Sequence, residues 1–323
     1  MREIRIDPLT GLRALVVSAH PTPQFAVAKP PAIDAKLDPF AAGNEAATAP
    51  ELYAVRPGGG GPDTPGWAVR VVASPEPLLT ADSPDPPPQD NPELVSAVAA
   101  RGSHELIVSA PEPVQSLAEL PLEQVVAAVE VWRERMRAHD ESSYVHVGVA
   151  ERPEAGATHS HTHAELHALS FVPAAVARER ERFSAHAVRT MGANLLEDVV
   201  ADEVRRRARI VAIDDEAVLL CPYASRRPFA LMLAPRRCRA RFGDDGPTGA
   251  TLLHRGLSLL RERFGASPPL TLWIRTAPRG ADRFCWHIDI VPRVLAAGSF
   301  ELGTQIPVNP VAPEQAAAEL RAL

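Results

Sequence analysis

The sequence predicts an α+β fold built from a duplicated unit. Two segments have apolar residues at helical spacing, Leu122–Ala138 and Ala250–Phe264. Each lies between short apolar runs that are typical of strands, and in each half the last strand carries a histidine. The order strand, helix, strand, loop and histidine-bearing strand therefore occurs twice, which indicates an internal duplication within a mixed fold.

Most of the predicted strands belong to these units, and the remaining elements flank them. Strands are predicted at 67–72, 104–108, 143–149, 229–233, 270–274 and 284–290, and further helices at 195–207 and 313–323. Many of the 33 prolines lie in segments 56–66 and 74–92, where they exclude helix and central strand. We expect the first hundred residues to form irregular loops around a few strands. A partly disordered arm over 20–66 is the alternative.

Composition and charge limit the classes of function that the protein can have. The 323 residues carry a formal charge of -6, which argues against a general nucleic-acid binder. The three cysteines form no CxxC pair, so a disulfide framework and a cysteine-based zinc ribbon are excluded and a reducing compartment is favoured. No apolar run reaches membrane-spanning length. We therefore expect a soluble, cytoplasmic protein without nucleic-acid or membrane partners.

A cluster of histidines is the strongest chemical signal. His159, His161, His163 and Glu165 alternate along the chain, so an extended strand would place them on one face. Small residues at 155–157 precede them and would let a ligand approach the backbone closely.

Two chemistries suit such a row of imidazoles. Neutral imidazoles are common zinc ligands, and alternate strand positions can share one ion. An imidazole, which is largely neutral at pH 7, can also attack a phosphoryl group and later leave it. A satisfied cluster with no chemical role is the third interpretation.

Several motifs carry a family resemblance. The run AGATHSHTHAEL at 155–166 resembles the AGASxxHxHxQ signature of the galactose-1-phosphate uridylyltransferase family, in the histidine-triad superfamily. Other runs resemble that family in the same order along nearly the whole chain: IDPLTG at 6–11, GWAVRVV at 66–72, GSHELIV at 102–108, CPYASRRPF at 221–229, WHIDIVPR at 286–293 and NPVAPE at 309–314.

The resemblance implies a fold and a reaction. It implies two histidine-triad-like units, at 1–180 and 181–323, an antiparallel half-barrel sheet with flanking helices, and a homodimer. It also implies transfer of a nucleoside monophosphate between a sugar nucleotide or dinucleotide and a phosphate acceptor. The transfer would pass through a nucleotidyl-histidine intermediate on His163. His161 falls at a zinc-ligand position, Thr158 at a phosphate-contacting serine, and Gly156 and Ser74 fall in the substrate site.

The sequence departs from the family pattern at the zinc-ligand positions and at the glutamine of the motif, and each departure changes what we expect. The other three zinc positions fall on residues without the family's ligands, Asp38, Ala41 and Pro113, so we predict no structural zinc and no other cofactor. Glu165 replaces a glutamine that donates to the phosphate, and a carboxylate repels phosphate. A nucleotide-binding protein with impaired transfer is therefore an alternative to the enzyme.

The histidine motif also admits two different assignments. As a plain H-x-H-x-H triad, it would make His161 the nucleophile. If the histidines instead bind a metal ion, the protein would be a metal-dependent phosphohydrolase. Arg226 and Arg275 are candidates for contacts with phosphate or sugar phosphate under either assignment, because a guanidinium binds such oxygens in pairs.

Overall fold

The computed structural model describes residues 2–18, 21–88, 90–91 and 93–323. Its β-strands are β1 (Arg2–Ile6), β2 (Arg13–Val17), β3 (Glu51–Val55), β4 (Val69–Ala73), β5 (Gly102–Val108), β6 (Tyr144–Glu151), β7 (His163–Leu169), β8 (Ile210–Ile213), β9 (Ala217–Leu220), β10 (Leu231–Pro235), β11 (Leu270–Arg275), β12 (His287–Pro292) and β13 (Val308–Asn309). Its α-helices are α1 (Leu122–Ala138), α2 (Ala174–Arg189), α3 (Leu195–Arg206), α4 (Ala250–Phe264), α5 (Ser299–Thr304) and α6 (Pro313–Arg321).

Ten of these strands form one antiparallel sheet in the order β3-β4-β5-β7-β6-β11-β12-β10-β9-β8. Strands β6 and β11 pair at its centre, with Glu151 opposite Leu270 and Gly148 opposite Trp273. The five strands on the β6 side all precede α2 in the chain, and the five on the β11 side all follow α3. The helix α1 connects β5 to β6, and α4 connects β10 to β11. The mixed α/β architecture and the large antiparallel sheet agree with the predicted fold class.

One face of the sheet packs against α1 and α4 and forms the main core. In α4, four apolar residues at helical spacing are buried: Leu253, Leu257, Leu260 and Phe264. Burial of each such side chain contributes about 1.5–3 kcal/mol. Glycines with positive φ, Gly249 at 88° and Gly265 at 72°, bound this helix. Both limits of α1 and of α4 confirm the sequence prediction, because each helix is long and strongly periodic.

A small second sheet connects the two ends of the chain. It has the order β1-β2-β13, so the N-terminal hairpin pairs with a strand near the C-terminus. The buried Arg5 donates to the Glu314 carboxylate at 2.9 Å, and Arg209 donates to the same carboxylate at 2.7 Å. Residues 2–17 therefore pack on the C-terminal half.

One prediction about local structure is corrected, and several elements were not predicted. The histidine row is not one strand: β7 begins at His163, and 159–161 form bends, because the neighbouring β5 ends at Val108, opposite His163. The helix α2 and the hairpin of β1 and β2 were not predicted. Residue 180, the predicted boundary between the units, lies inside α2.

The proline-rich N-terminal part is largely irregular, as predicted. Only short strands interrupt its loops, and β4 confirms the strand predicted near 67–72. Residue 20 of the proposed arm and residues 89 and 92 of the second proline-rich segment lie outside the described residues. Among the residues that the structure describes, no helix has the length and apolar content needed to cross a membrane.

Candidate active site

The face of the sheet opposite α1 and α4 carries the candidate site. Along β7, Ala164 and Leu166 point into the main core, while His163, Glu165 and His167 alternate with them and point the other way. The alternation places three polar side chains in a row on the face that the two long core helices leave uncovered.

His163 is held in one tautomer by the backbone carbonyl of His161. Its Nδ1 lies 2.8 Å from the carbonyl oxygen of His161, which can only accept, so Nδ1 carries the proton. In the neutral ring Nε2 then keeps its lone pair, and it lies 3.8 Å from Oε1 of Glu165. The ring is only 2% exposed, covered by Phe40 and His159, whose ring centroids lie 5.8 and 5.6 Å away.

His161 is part of a buried ion pair. Its Nδ1 lies 2.6 Å from the Asp38 carboxylate and its Nε2 lies 2.8 Å from the carbonyl oxygen of Ala110. Both partners only accept, so both ring nitrogens carry protons and the ring is a cation. Burial acts to raise the pKa of Asp38, but the hydrogen bond and charge of His161 outweigh it, and the pKa is lowered.

This arrangement does not fit a zinc ion at the position that the family resemblance implies. Neither nitrogen of His161 has a free lone pair, and Ala41 and Pro113 have no side chain that binds metal. No step of the chemistry is therefore assigned to zinc at this position.

Glu165 lies among imidazoles rather than beside an arginine. Its Oε2 lies 3.6 Å from Nε2 of His104 and 3.8 Å from Nε2 of His167. The pKa of Glu165 is held well below its usual range, because His104 and His163 favour the charged carboxylate more than its partial burial opposes it. A negative charge therefore lies beside Nε2 of His163.

Three histidines lie side by side across three strands. His104 of β5 and His146 of β6 both lie opposite His167 of β7 in the sheet register. The rings of His104 and His167 stack, with centroids 4.1 Å apart. Burial lowers the pKa of His146 to about 4 and is the largest cause of the lowered pKa of His167.

A cavity of about 210 Å³ opens over this row. Ten residues line it: His146, Gly148, Val149, Ala150, Gly156, Glu165, His167, Thr271, Leu272 and Trp273. Gly148 lies opposite Glu165 in the register, and a Cβ at this position would come within 3.2 Å of Nε2 of His146. The absence of a side chain at Gly148 helps to keep this space open.

The other residues predicted to bind substrate fall into two groups. Gly156 and Thr158 lie in the exposed loop before β7, and Thr158 Oγ1 lies 3.0 Å from Nδ1 of His159. Ser74 follows β4, and its backbone N–H donates to the carbonyl of His104 at 3.0 Å. Of these three residues, Gly156 also lines the cavity beside His146 and His167.

Arg226 and Arg275 instead line a second cavity of about 260 Å³. In it, Nε of Arg275 lies 3.4 Å from Glu179 and 3.9 Å from Asp289. Burial raises the pKa of Glu179 to about 8. Trp273 lines both cavities, so they are neighbours on one face of the sheet, but the structure does not bring the two arginines to His163.

Sequence reasoning missed the pairing of Asp38 with His161, the buried Glu179, and the cluster of His104, His146 and His167. Asp38 and His161 are 123 residues apart, and no local pattern pairs them. The sequence alone favours packing roles for His104 and His146, because the strand register that aligns them with His167 leaves no local pattern. The sequence pattern that could have indicated part of this cluster is the alternate spacing of His163, Glu165 and His167.

Comparison with known proteins identifies relatives over most of the chain. No sequence profile of a protein family matches it. An ADP-glucose phosphorylase of Arabidopsis thaliana is 25% identical, covering 99% of this chain and 92% of that protein. A galactose-1-phosphate uridylyltransferase of Haemophilus influenzae is 28% identical, covering 76% of this chain and 74% of that protein.

Solved structures show the same fold. An Arabidopsis thaliana ADP-glucose phosphorylase with bound ADP-glucose superimposes with a TM-score of 0.81 at 24% identity, covering 100% of this chain and 99% of that chain. A galactose-1-phosphate uridylyltransferase-like protein of the same organism gives 0.81 at 23% identity, with 99% of each chain covered. The predicted resemblance is confirmed: this chain is a divergent relative of the galactose-1-phosphate uridylyltransferases and of ADP-glucose phosphorylase.

Proposed function

We propose that this protein is a nucleotidyltransferase that moves a nucleoside monophosphate from a sugar nucleotide to a phosphate acceptor through His163. The relatives are enzymes of nucleotide-sugar chemistry, named for uridylyl transfer or for the phosphorylase reaction of ADP-glucose. The observation that carries the proposal is the bond from Nδ1 of His163 to the carbonyl of His161, because it leaves Nε2 as the nucleophilic atom.

The proposed reaction has two steps. Nε2 of His163 attacks the α-phosphorus, the N–P bond forms, and the P–O bond to the leaving sugar phosphate breaks. The ring then carries a positive charge, which the hydrogen bond from Nδ1 to the His161 carbonyl stabilises. An oxygen of the acceptor phosphate attacks the same phosphorus, the N–P bond breaks, and the electron pair returns to Nε2.

Access to Nε2 requires a movement. The ring of His163 is covered by His159, which lies in a loop of bends rather than in the sheet. We propose that the bound substrate displaces the loop 155–160, with Gly156 and Thr158 contacting the phosphate and Ser74 lying nearby. Gly156 has a φ of 96°, which suits a loop whose backbone approaches a ligand.

His163 is the proposed nucleophile rather than His161. Both nitrogens of His161 donate to buried acceptors, so this ring has no lone pair to offer. The H-x-H-x-H interpretation, with its middle histidine attacking, is therefore disfavoured.

A nucleotide-binding protein with impaired transfer is the second candidate function. The charge of Glu165, 3.8 Å from Nε2 of His163, opposes an incoming phosphate, and this observation favours the second candidate. The two functions differ in whether a covalent intermediate forms.

The test uses label transfer. The protein is incubated with ADP-glucose and with UDP-glucose labelled in the α-phosphate, and protein-bound label is counted. We expect an acid-labile, base-stable label that is lost in His163→Ala and that inorganic phosphate releases as nucleoside diphosphate. His186→Gln, which changes an imidazole of α2, is the matched control and keeps the label. Binding without any label would support the second candidate.

The proposal also covers the internal duplication of the chain, its assembly state and its location. We infer that the halves on either side of the β6–β11 pair are duplicated histidine-triad-like units in a half-barrel, because each contributes three strands, a helix and two strands in the same order. By analogy with the family we also propose a homodimer in the cytoplasm. Size-exclusion chromatography with light scattering would test the dimer.

A further inference from the structure

We propose that His104, Glu165 and His167 form a binding site for one divalent transition-metal ion, beside the proposed nucleophile. One ligand atom from each residue lies within 4.8 Å of the other two. Three protein ligands that leave a position open are typical of catalytic rather than structural metal sites. This site is separate from the zinc position at His161, and its metal-binding test does not depend on the proposed function.

The distances suit an ion at the centre of the three groups. Oε2 of Glu165 lies 3.6 Å from Nε2 of His104 and 3.8 Å from Nε2 of His167. Ligand atoms around a tetrahedral ion with bonds of about 2.1 Å are roughly 3.4 Å apart. Two of the three separations therefore exceed this value by only a few tenths of an ångström, and the third pair of ligand atoms lies within 4.8 Å.

Unpartnered nitrogen atoms are the independent observation. Nε2 of His104 and both nitrogens of His167 are buried and have no hydrogen-bond partner within the described part of the chain. The side chain of His104 is only 6% exposed. Nε2 of His104 faces the Glu165 carboxylate at 3.6 Å, beyond hydrogen-bond distance. Buried polar atoms are seldom left without a partner, so the two nitrogens of His167 in particular indicate a missing ligand.

The chemistry of the donors selects the class of ion. Two imidazoles and one carboxylate suit zinc and its first-row neighbours, whereas magnesium and calcium prefer oxygen ligands. The cavity lined by Glu165 and His167 supplies space for water or a phosphate oxygen at the open position.

Binding of an ion would change one hydrogen bond of His104. Nδ1 of His104 accepts the backbone N–H of Leu78 at 3.2 Å, so coordination through Nε2 requires the other tautomer and displaces this bond. Leu78 is an exposed residue, 70% accessible to solvent, and this hydrogen bond is only partly buried.

The ion would resolve the charge conflict at the site. Glu165 alone places a negative charge beside Nε2 of His163, where a phosphate must approach. An ion bound to Glu165 would reverse the sign of the local charge and bind a phosphate oxygen. This role deepens the proposed function and rests on it, whereas the presence of the site does not.

Cobalt is the direct probe of the site. The full-length protein is dialysed against chelator and then titrated with Co²⁺, whose visible absorption reports coordination by protein ligands, and with Zn²⁺ in a calorimeter. We expect one ion per chain. Binding should be lost in His167→Gln and in Glu165→Gln and kept in the matched control His186→Gln. Circular dichroism verifies that each variant folds.

The outcomes separate the two proposals. Failure of the wild type to bind one ion per chain would overturn the metal site, as would unchanged binding in both His167→Gln and Glu165→Gln. His163→Ala should keep the ion and lose the nucleotidyl label. Metal binding with no label would contradict the proposed function alone, and label with no metal binding would contradict the site alone.

Discussion

At the scale of single residues, two histidines of one motif have opposite roles. His161 donates from both nitrogens and is a buried cation, whereas His163 donates from Nδ1 only and keeps a lone pair. Their order in the motif predicted that the second of them, His163, is the nucleophile that attacks phosphorus. Their protonation states depend on Asp38 and the carbonyl of Ala110, which lie outside the motif, and on the carbonyl of His161 within it.

Asp38→Asn tests the buried ion pair. The substitution keeps the shape of the side chain but leaves the His161 cation without its counter-charge, so we expect a loss of about 3 kcal/mol in the free energy of unfolding. Urea denaturation at pH 7 measures it, with Asp82→Asn, an exposed acid, as the control. A change within about 0.5 kcal/mol of the control would show that His161 is not held as a cation.

Glu165→Gln tests the charge beside the nucleophile. In chelator-treated protein, removal of the carboxylate 3.8 Å from Nε2 of His163 should speed nucleotidyl labelling on the order of tenfold, because a like charge no longer opposes the phosphate. Single-turnover labelling at pH 7 measures the rate, with Glu154→Gln in the exposed loop as the control. Slower labelling in Glu165→Gln would mean that the carboxylate assists the reaction.

At the scale of elements, the two long helices were predictable and the helix α2 was not. The helices α1 and α4 bury several apolar residues at regular spacing. The buried positions of α2 are Val176, Glu179, Phe183 and Ala187, so one of them is a carboxyl group and the apolar stripe is interrupted. The start of β7 also depended on its neighbour, because β5 ends opposite His163.

Glu105→Gln tests how α1 is held to the sheet. Glu105 of β5 accepts from Arg135 at 2.8 and 2.9 Å, and His139 Nε2 lies 2.7 Å away. Burial opposes the charge, but the hydrogen bonds from His139 and Arg135 outweigh it and lower the pKa to about 2. At pH 7 the carboxylate therefore contributes on the order of 2 kcal/mol to stability, with solvent screening included.

The pH dependence has a definite sign. A lowered pKa in the folded state adds stability above the unfolded value of about 4.3, and this stability is lost as the pH falls towards 2. The difference between wild type and Glu105→Gln, measured by urea denaturation, should therefore be large at pH 7 and shrink below pH of about 4. A difference that is constant with pH would contradict the ionic role.

At the scale of the whole molecule, the two halves share one sheet and the two ends of the chain meet. The positions of the two long helices between strands were visible in the sequence, but the pairing of β6 with β11 and of β13 with β2 was not, because long-range register leaves no local pattern. The same pairing places the two cavities on either side of Trp273, so residues predicted to act together lie in separate cavities.

Glu314→Gln tests the junction of the two ends. The Glu314 carboxylate accepts from Arg5 of the N-terminal hairpin and from Arg209, both buried. Removal of its charge leaves two guanidinium groups with less compensation, so we expect a loss of about 2 kcal/mol in the free energy of unfolding. Urea denaturation measures it, with the exposed Asp215→Asn as control. Equal stability of the two variants would contradict the proposed junction.

The central claim is that Nε2 of His163 forms a bond to phosphorus. Mass spectrometry of the intact protein after incubation with ADP-glucose or UDP-glucose, followed by peptide mapping under alkaline conditions, tests it most directly. We predict a mass gain of one nucleoside monophosphate per chain, located at His163 and removed by inorganic phosphate. An adduct on His161 or His159, or a protein that binds the nucleotide and gains no mass, would contradict the claim.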